Sequence, residues 1–265
     1  MESAEQLVKS EGLHRRLARG VRWVGGMLLD LAYPPVCLHC DAPTATPNTL
    51  CPACFKGLRP ITAPLCPVLG LPFEVSLGSD TLSSEAIADP PPFGRARAAV
   101  VYGPVASTIV SRLKYGDRPE LARFCARLMA GAGHEFWAEK PVLVPVPLHP
   151  ARQRARRYNQ SQELALLLGR FTGLPVDAGL VQRIRKTRQQ VGLSGDGRQR
   201  NVAGAFAVHP DMLARSQGRR VVLVDDVYTT GATVKAVTRT LLRGGVDSVD
   251  VVTFARVVIG ADLPI

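Results

Sequence analysis

Two hydrophobic periods alternate along the second two-thirds of the chain. Short apolar runs at Ala98–Tyr102, Val142–Val146, Val221–Val224 and Val249–Phe254 predict strands. Between them, apolar residues recur at helical spacing. Val105, Ile109, Val110 and Leu113 share one helix face, and Leu121, Phe124, Cys125, Leu128 and Met129 share another. Leu164, Leu167 and Leu168 mark a helix that begins near Asn159, and Ala232–Arg243 predicts one that stops at Gly244-Gly245. Continuous apolar runs such as Val221–Val224 suit strands buried on both faces. Strands separated by helices predict an α/β domain over 96–265, a mainly parallel sheet flanked by helices. The first third reads differently. Leu7, Leu13, Leu17 and Val21 predict a helical segment within 1–32, residues 33–66 are rich in proline and cysteine, and 67–95 reads as a linker or long loop. No internal repeat of fixed period stands out.

Composition narrows the class. With 46% hydrophobic and 21% charged residues in a 265-residue chain, wholesale disorder and fibrous repeats are excluded. The net charge of +11 points to an anionic partner, such as phosphate, nucleic acid or an acidic surface. That charge is uneven. Residues 1–90 hold nine acids and seven bases, whereas 152–200 hold eleven bases and three acids. The apolar stretch Val21–Val36 carries Arg22, Asp30 and two prolines, so no membrane span is expected there. It also lacks the layout of an export signal. A cytoplasmic location is therefore expected, with cysteines reduced or metal-bound.

Four cysteines carry the first chemical signal. Cys37-Leu-His-Cys40 and Cys51-Pro-Ala-Cys54 form two C-x2-C pairs separated by ten residues. Four thiolates suit tetrahedral zinc and leave no open position, so Cys37, Cys40, Cys51 and Cys54 are expected to hold a structural zinc ion. Cys125 falls on an apolar helix face and is expected in the core.

The second signal is Val221-Val-Leu-Val-Asp-Asp-Val-Tyr-Thr-Thr-Gly-Ala-Thr233. An apolar strand ends in Asp225 and Asp226, a loop of small hydroxyl residues follows, and a helix starts. Ligands of open α/β sheets bind outside the carboxyl ends of the strands. A helix start presents free N–H groups and positive dipole to a phosphate. Gly231 permits close backbone approach, and Thr229, Thr230 and Thr233 add hydroxyls. Paired carboxylates beside a phosphate cradle suit sugar hydroxyls, or a magnesium ion held through water.

This stretch resembles the phosphoribosyl-pyrophosphate (PRPP) motif of type I phosphoribosyltransferases. The resemblance implies that Asp225 and Asp226 meet the ribose hydroxyls, and that Thr229, Thr230, Gly231, Ala232 and Thr233 wrap the 5′-phosphate. Further stretches add to it: Lys114-Tyr-Gly-Asp117; Val144-Pro-Val-Pro-Leu-His149 with Arg152, Arg154, Arg156, Arg157, Tyr158, Asn159 and Gln160; and Arg185-Lys-Thr-Arg-Gln-Gln190. With the N-terminal cysteines, their order is similar to the ComF/GntX family of competence proteins, from about Ala32 to Val257. The resemblance implies a type I phosphoribosyltransferase-like fold with an N-terminal zinc-binding module. It implies a pyrophosphate loop at Val146, Pro147, Leu148 and His149, with Arg152 and Arg157 gripping phosphate oxygens. It further implies a flexible loop over 183–201 that includes Arg185, Lys186 and Arg188. Members often carry a third cysteine pair. Here Cys66 is present, but Leu69 stands three residues on, which makes the first two pairs the expected ligands.

Three functions remain open on this reading. One is an active transferase that uses PRPP with magnesium and an unknown nitrogenous acceptor. The second is a PRPP or nucleotide sensor without turnover. The third is a factor of DNA uptake that meets single-stranded DNA or competence-machinery proteins. The low aromatic content, 6%, gives little for a base-stacking platform.

Overall fold

The computed structural model describes residues 34–76, 78, 80–115, 118–150, 158–185, 202–209 and 218–258. The expected helical segment in 1–32 lies outside them. Two compact units divide the chain at Ala53 and Cys54. In the first unit, Val36 pairs with Pro43, and the Cys37 N–H donates to Ala42 O at 2.7 Å, closing a tight knuckle.

Helix α1 (Pro52–Lys56) spans that division, and α2 (Ser84–Ala88) lies in the second unit. Then follow β1 (Ala96–Val101), α3 (Pro104–Tyr115), α4 (Pro119–Ala132), α5 (His134–Trp137) and β2 (Val142–Pro145). Helix α6 (Gln160–Thr172), β3 (Val181–Arg183) and β4 (Phe206–Val208) come next, and β5 (Arg220–Tyr228), α7 (Ala232–Arg243) and β6 (Ser248–Arg256) complete the order. Strands β1-β6-β5-β2 form one sheet in which every neighbouring pair is parallel. All four expected strands are there. β5 differs in length: it does not stop at Val224 but carries both acids and runs on to Tyr228, because β6 stays paired with it that far. The antiparallel pair β3 and β4 has no counterpart in the sequence reading; each strand has three residues, too few to display a period. Arg183, expected at the start of a flexible loop, is a buried residue of β3.

Side chains alternate across the sheet. Val221, Leu223, Val249 and Val251 pack with Val234, Val237 and Leu241 of α7. The alternate residues face α4 and α6, which pack on each other and on β1, β2, β5 and β6. The result is three layers with fully buried Val224, Leu143, Phe254 and Leu164 at the sheet–helix contacts. Cys125 is also fully buried, as expected for a core position. Among the described residues no helix is long and apolar enough to cross a membrane.

The 67–95 stretch has little regular structure, yet it is packed. Cys66, Leu69, Ala86 and Phe93 join the core on the α7 side of the sheet. Ala96 N–H donates to Val68 O at 2.7 Å, and Gly70 turns with φ +62° directly against β1. A Cβ at Gly70 would collide with the backbone carbonyl of Ala96. Gly70→Ala is therefore expected to cost about 3 kcal/mol, from positive φ and backbone overlap together. Chemical denaturation checks this; a loss below about 1 kcal/mol would show that the turn yields cheaply.

Candidate phosphate-binding site

Helices leave neighbouring strands in opposite directions at one point of the sheet. β2 leads to α6 on one face, and β5 leads to α7 on the other. Such a switch opens a crevice at the carboxyl ends of the strands. β2 pairs with β5 only as far as Val224, and one further bond, Val146 N–H to Val224 O at 3.0 Å, closes the ladder. Asp225 and Asp226 follow at once, one partly buried and the other 5% exposed.

Helices α6 and α3 hold this acid pair. Asn159 caps α6, accepting from the Ser161 N–H at 3.1 Å and donating to Val146 O at 3.2 Å, so the helix start is tied to the end of β2. That cap presents the Ser161 hydroxyl, which donates to Asp225 Oδ1 at 2.8 Å. The Asp226 N–H donates to the same oxygen at 2.9 Å. From the last turn of α3, Lys114 Nζ stands 2.9 Å from Asp226 Oδ2. The Tyr158 hydroxyl donates to Leu113 O, joining the approach to α6 to the end of α3. From α4, the buried Cys125 thiol feels the Asp226 charge; burial first, and that charge second, push its pKa well up. Burial, and then the neighbouring Asp226 carboxylate, push Asp225 up to about 7 against donation from Ser161 and the Asp226 amide.

Beyond the acids, β5 turns through Thr229 and Thr230 into α7. Gly231 stands at the helix entrance with φ +73°, and this N-cap residue offers no side-chain cap to the first turn. A Cβ there would collide with the Tyr228 hydroxyl. Thr230 Oγ1 is buried without a partner among the described residues, and Ala232 is buried while Thr229 is exposed. An uncapped helix start with a buried free hydroxyl is what an anion requires. These residues, with Thr233, both acids and Lys114, line a cavity of about 740 Å³. Glu85, Asp89, Tyr102 and Lys235 line it too.

The structure thus brings together both acids and Thr229–Thr233. Val146, Pro147, Leu148 and His149 follow β2, and Val146 bonds to Val224 just before the acids, but none of the four lines this cavity. Arg152, Arg157, Lys186 and Arg188 lie outside the described residues; Arg185 is exposed and donates to Ala203 O. Sequence reasoning assigned no role to Ser161, Lys114, Glu85, Asp89 or Lys235. Lys114 and Asn159 fall within the motifs Lys114–Asp117 and Val144–Gln160, but only the fold shows which carboxylate or carbonyl each reaches.

The four cysteines converge as expected. Their sulfurs lie within 4.8 Å of one another, and Cys40 Sγ is 3.7 Å from Cys51 Sγ. A tetrahedral zinc with bonds near 2.3 Å needs sulfurs about 3.8 Å apart. Burial opposes ionisation of Cys37, but amide donation from Cys40, Cys51 and His39 outweighs it and brings the thiol down to about 6. A thiolate is the form that zinc binds. The residues fit a structural zinc ion.

Residues 111–263 match the phosphoribosyl transferase domain family, and residues 28–86 match the double zinc ribbon domain family. The chain is 33% identical over 242 residues to the DNA utilization protein YhgH of Escherichia coli (strain K12), covering 89% of this chain and 97% of that protein. It is 30% identical over 233 residues to competence protein F of Haemophilus influenzae, covering 83% of this chain and 96% of that protein. Identity to competence protein ComFC of Bacillus subtilis (strain 168) is 25% over 225 residues, or 79% and 90% of the two chains. The parallel sheet and its N-terminal four-cysteine module define a type I phosphoribosyltransferase-like protein. Within that class, the chain belongs to the ComF/GntX family of competence-associated proteins.

The raised Asp225 pKa makes a signed prediction. In the unfolded chain its pKa returns to about 3.9. Its favourable contribution is complete below that value and is lost as pH rises through about 7, where the folded site must release the proton. Asp225→Asn removes this loss. The melting temperature of ligand-free Asp225→Asn should gain on the wild type steadily from about pH 4 to about pH 8. Thermal melts across that range check this; a difference independent of pH would mean that the carboxyl is not held protonated.

Proposed function

We propose that the chain binds PRPP in the β5–α7 crevice and transfers its phosphoribosyl group to a nitrogenous acceptor. The observation that carries this reading is the juxtaposition of a buried acid pair with an uncapped, threonine-lined helix entrance in one cavity. The acids accept hydrogen bonds from the ribose 2′ and 3′ hydroxyls. The amides of the first turn of α7, with Thr229, Thr230 and Thr233, donate to the 5′-phosphate. Gly231 keeps the cradle open, since any side chain there would meet Tyr228.

In the reaction, the bond from the anomeric carbon to pyrophosphate breaks as the acceptor nitrogen forms a new one. Pyrophosphate leaves with the bonding electrons, and the acceptor nitrogen loses a proton. Positive charge develops on the sugar ring, next to the carboxylates at the end of β5. Positioning and electrostatics then supply most of the catalysis. Asp225 and Asp226 offer hard oxygen donors to a magnesium ion, which would neutralise the pyrophosphate when bound. Val146–His149, Arg152 and Arg157 serve the pyrophosphate, and Arg185, Lys186 and Arg188 belong to the loop that covers it. A PRPP sensor would use the same contacts without the bond exchange.

A second reading rests on the eleven bases within 152–200 and on relatives named for DNA utilization and competence. On it, this basic stretch of sequence holds single-stranded DNA or meets competence-machinery proteins.

Titration calorimetry separates these readings. Asp225→Asn with Asp226→Asn should weaken PRPP at least about 100-fold, or about 2.7 kcal/mol, with the fold retained. Wild-type affinity in that double variant would remove the ribose assignment. Pyrophosphate release, screened with purines, pyrimidines and amines, separates a transferase from a sensor that binds without turnover. Affinity for single-stranded DNA should fall steeply with salt; no binding at low ionic strength would end the DNA reading.

A further inference from the structure

We infer that the described residues of 65–89 form a second ribbon that folds without a metal ion and acts as a bracket for one wall of the phosphate cavity. The first knuckle sets the comparison. Val36 pairs with Pro43, the Cys37 N–H donates to Ala42 O at 2.7 Å, the Asp41 N–H donates to Cys37 O at 3.1 Å, and the Cys51 N–H donates to Cys37 Sγ at 3.2 Å. The second repeats each contact. Leu65 pairs with Pro72, the Cys66 N–H donates to Leu71 O at 2.8 Å, the Gly70 N–H donates to Cys66 O at 2.8 Å, and the Ser83 N–H donates to Cys66 Sγ at 3.4 Å. Asp41 and Gly70 share a left-handed turn, φ +59° and +62°. Helix α1 starts one residue after Cys51, and α2 one residue after Ser83.

This correspondence pairs Cys37, Cys40, Cys51 and Cys54 with Cys66, Leu69, Ser83 and Ala86. A double zinc ribbon implies a second ion, but these residues do not fit one. Leu69 and Ala86 are buried and carry no donor atom. The Ser83 hydroxyl donates to Cys66 Sγ at 3.4 Å and accepts from the Ala86 N–H. Zinc needs four nitrogen, sulfur or oxygen ligands. Here a single thiol gathers the Leu69 and Ser83 amides and the Ser83 hydroxyl, and the apolar core supplies the rest.

What the second ribbon holds is α2. Glu85 Oε1 lies 3.3 Å from Arg256 Nη2, and Asp89 Oδ2 lies 2.7 Å from Lys235 Nζ on α7. Arg256 is fully buried; it donates to Leu69 O at 2.7 Å and lays its guanidinium 4.2 Å from the centre of the Tyr228 ring. Tyr228 in turn abuts Gly231. The ribbon therefore reaches the phosphate loop through two ion pairs and one stacked cation, whatever ligand the cavity takes.

Elemental analysis of the full chain tests the metal. Wild type and Cys66→Ala should carry equal zinc, about one ion per chain, and Leu69→Cys/Ser83→Cys/Ala86→Cys should carry one more. Two ions per wild-type chain, or less zinc in Cys66→Ala, overturns the metal-free ribbon, and no gain in the triple variant overturns its correspondence with the first knuckle. Hydrogen exchange tests the bracket. In Cys66→Ala, amides of both 83–89 and 228–233 should exchange about ten-fold faster, with those of 121–132 unchanged. Wild-type protection at 228–233 overturns the bracket. Should Cys66→Ala fail to fold, Glu85→Gln leaves the ribbon core intact and answers the same question by the same readout at 228–233.

Discussion

Two adjacent carboxylates buried at the tip of a central strand repel each other and resist desolvation. The surrounding structure is arranged around that cost. Asp225 receives a hydroxyl and an amide, Asp226 receives an ammonium, and each donor comes from a different element. The Ser161 hydroxyl is available only because Asn159 starts α6 at the end of β2. Lys114 reaches in only because α3 ends beside α6, where Tyr158 grips Leu113. A site of this kind has its acids set in place before any ligand arrives, and preorganised groups lose little on binding.

The opposite wall follows a different logic. Arg256 and Lys235 are nearly inaccessible cations, and a buried cation without a partner is strongly destabilising. Both are met by acids on or just after α2, a five-residue helix far too short to be stable alone. Its stability comes from the Ser83 cap, from Cys66 beneath that cap and from the apolar residues around Leu69. Where a metal would fasten the first ribbon, ordinary core packing fastens the second. The apparent linker is in this way part of the phosphoribosyltransferase-like domain's own core.

The four strands of the parallel sheet, the longer helices α3, α4, α6 and α7 and the acid–threonine loop were legible because each is local: an apolar run, a helical stripe or a fixed spacing shows within a dozen residues. The C-x2-C pairs were legible for the same reason. Segment 67–95 was not, because proline, glycine and serine mark a packed knuckle and a loose loop alike. The repeat of the ribbon is not legible in the sequence because the positions that would announce it hold leucine, serine and alanine. Hydrogen bonds repeat what the side chains do not spell.

Chemical type and order along the chain were therefore set by local sequence: two acids before a hydroxyl loop, four thiols in two pairs, and alternating strands and helices. Partnership was decided by tertiary structure alone. Ser161 and Asp225 are 64 residues apart, and Glu85 and Arg256 are 171 apart, yet each pair meets. No local period encodes such meetings, since they arise only when the parallel sheet has brought distant strand ends and helix starts to one edge.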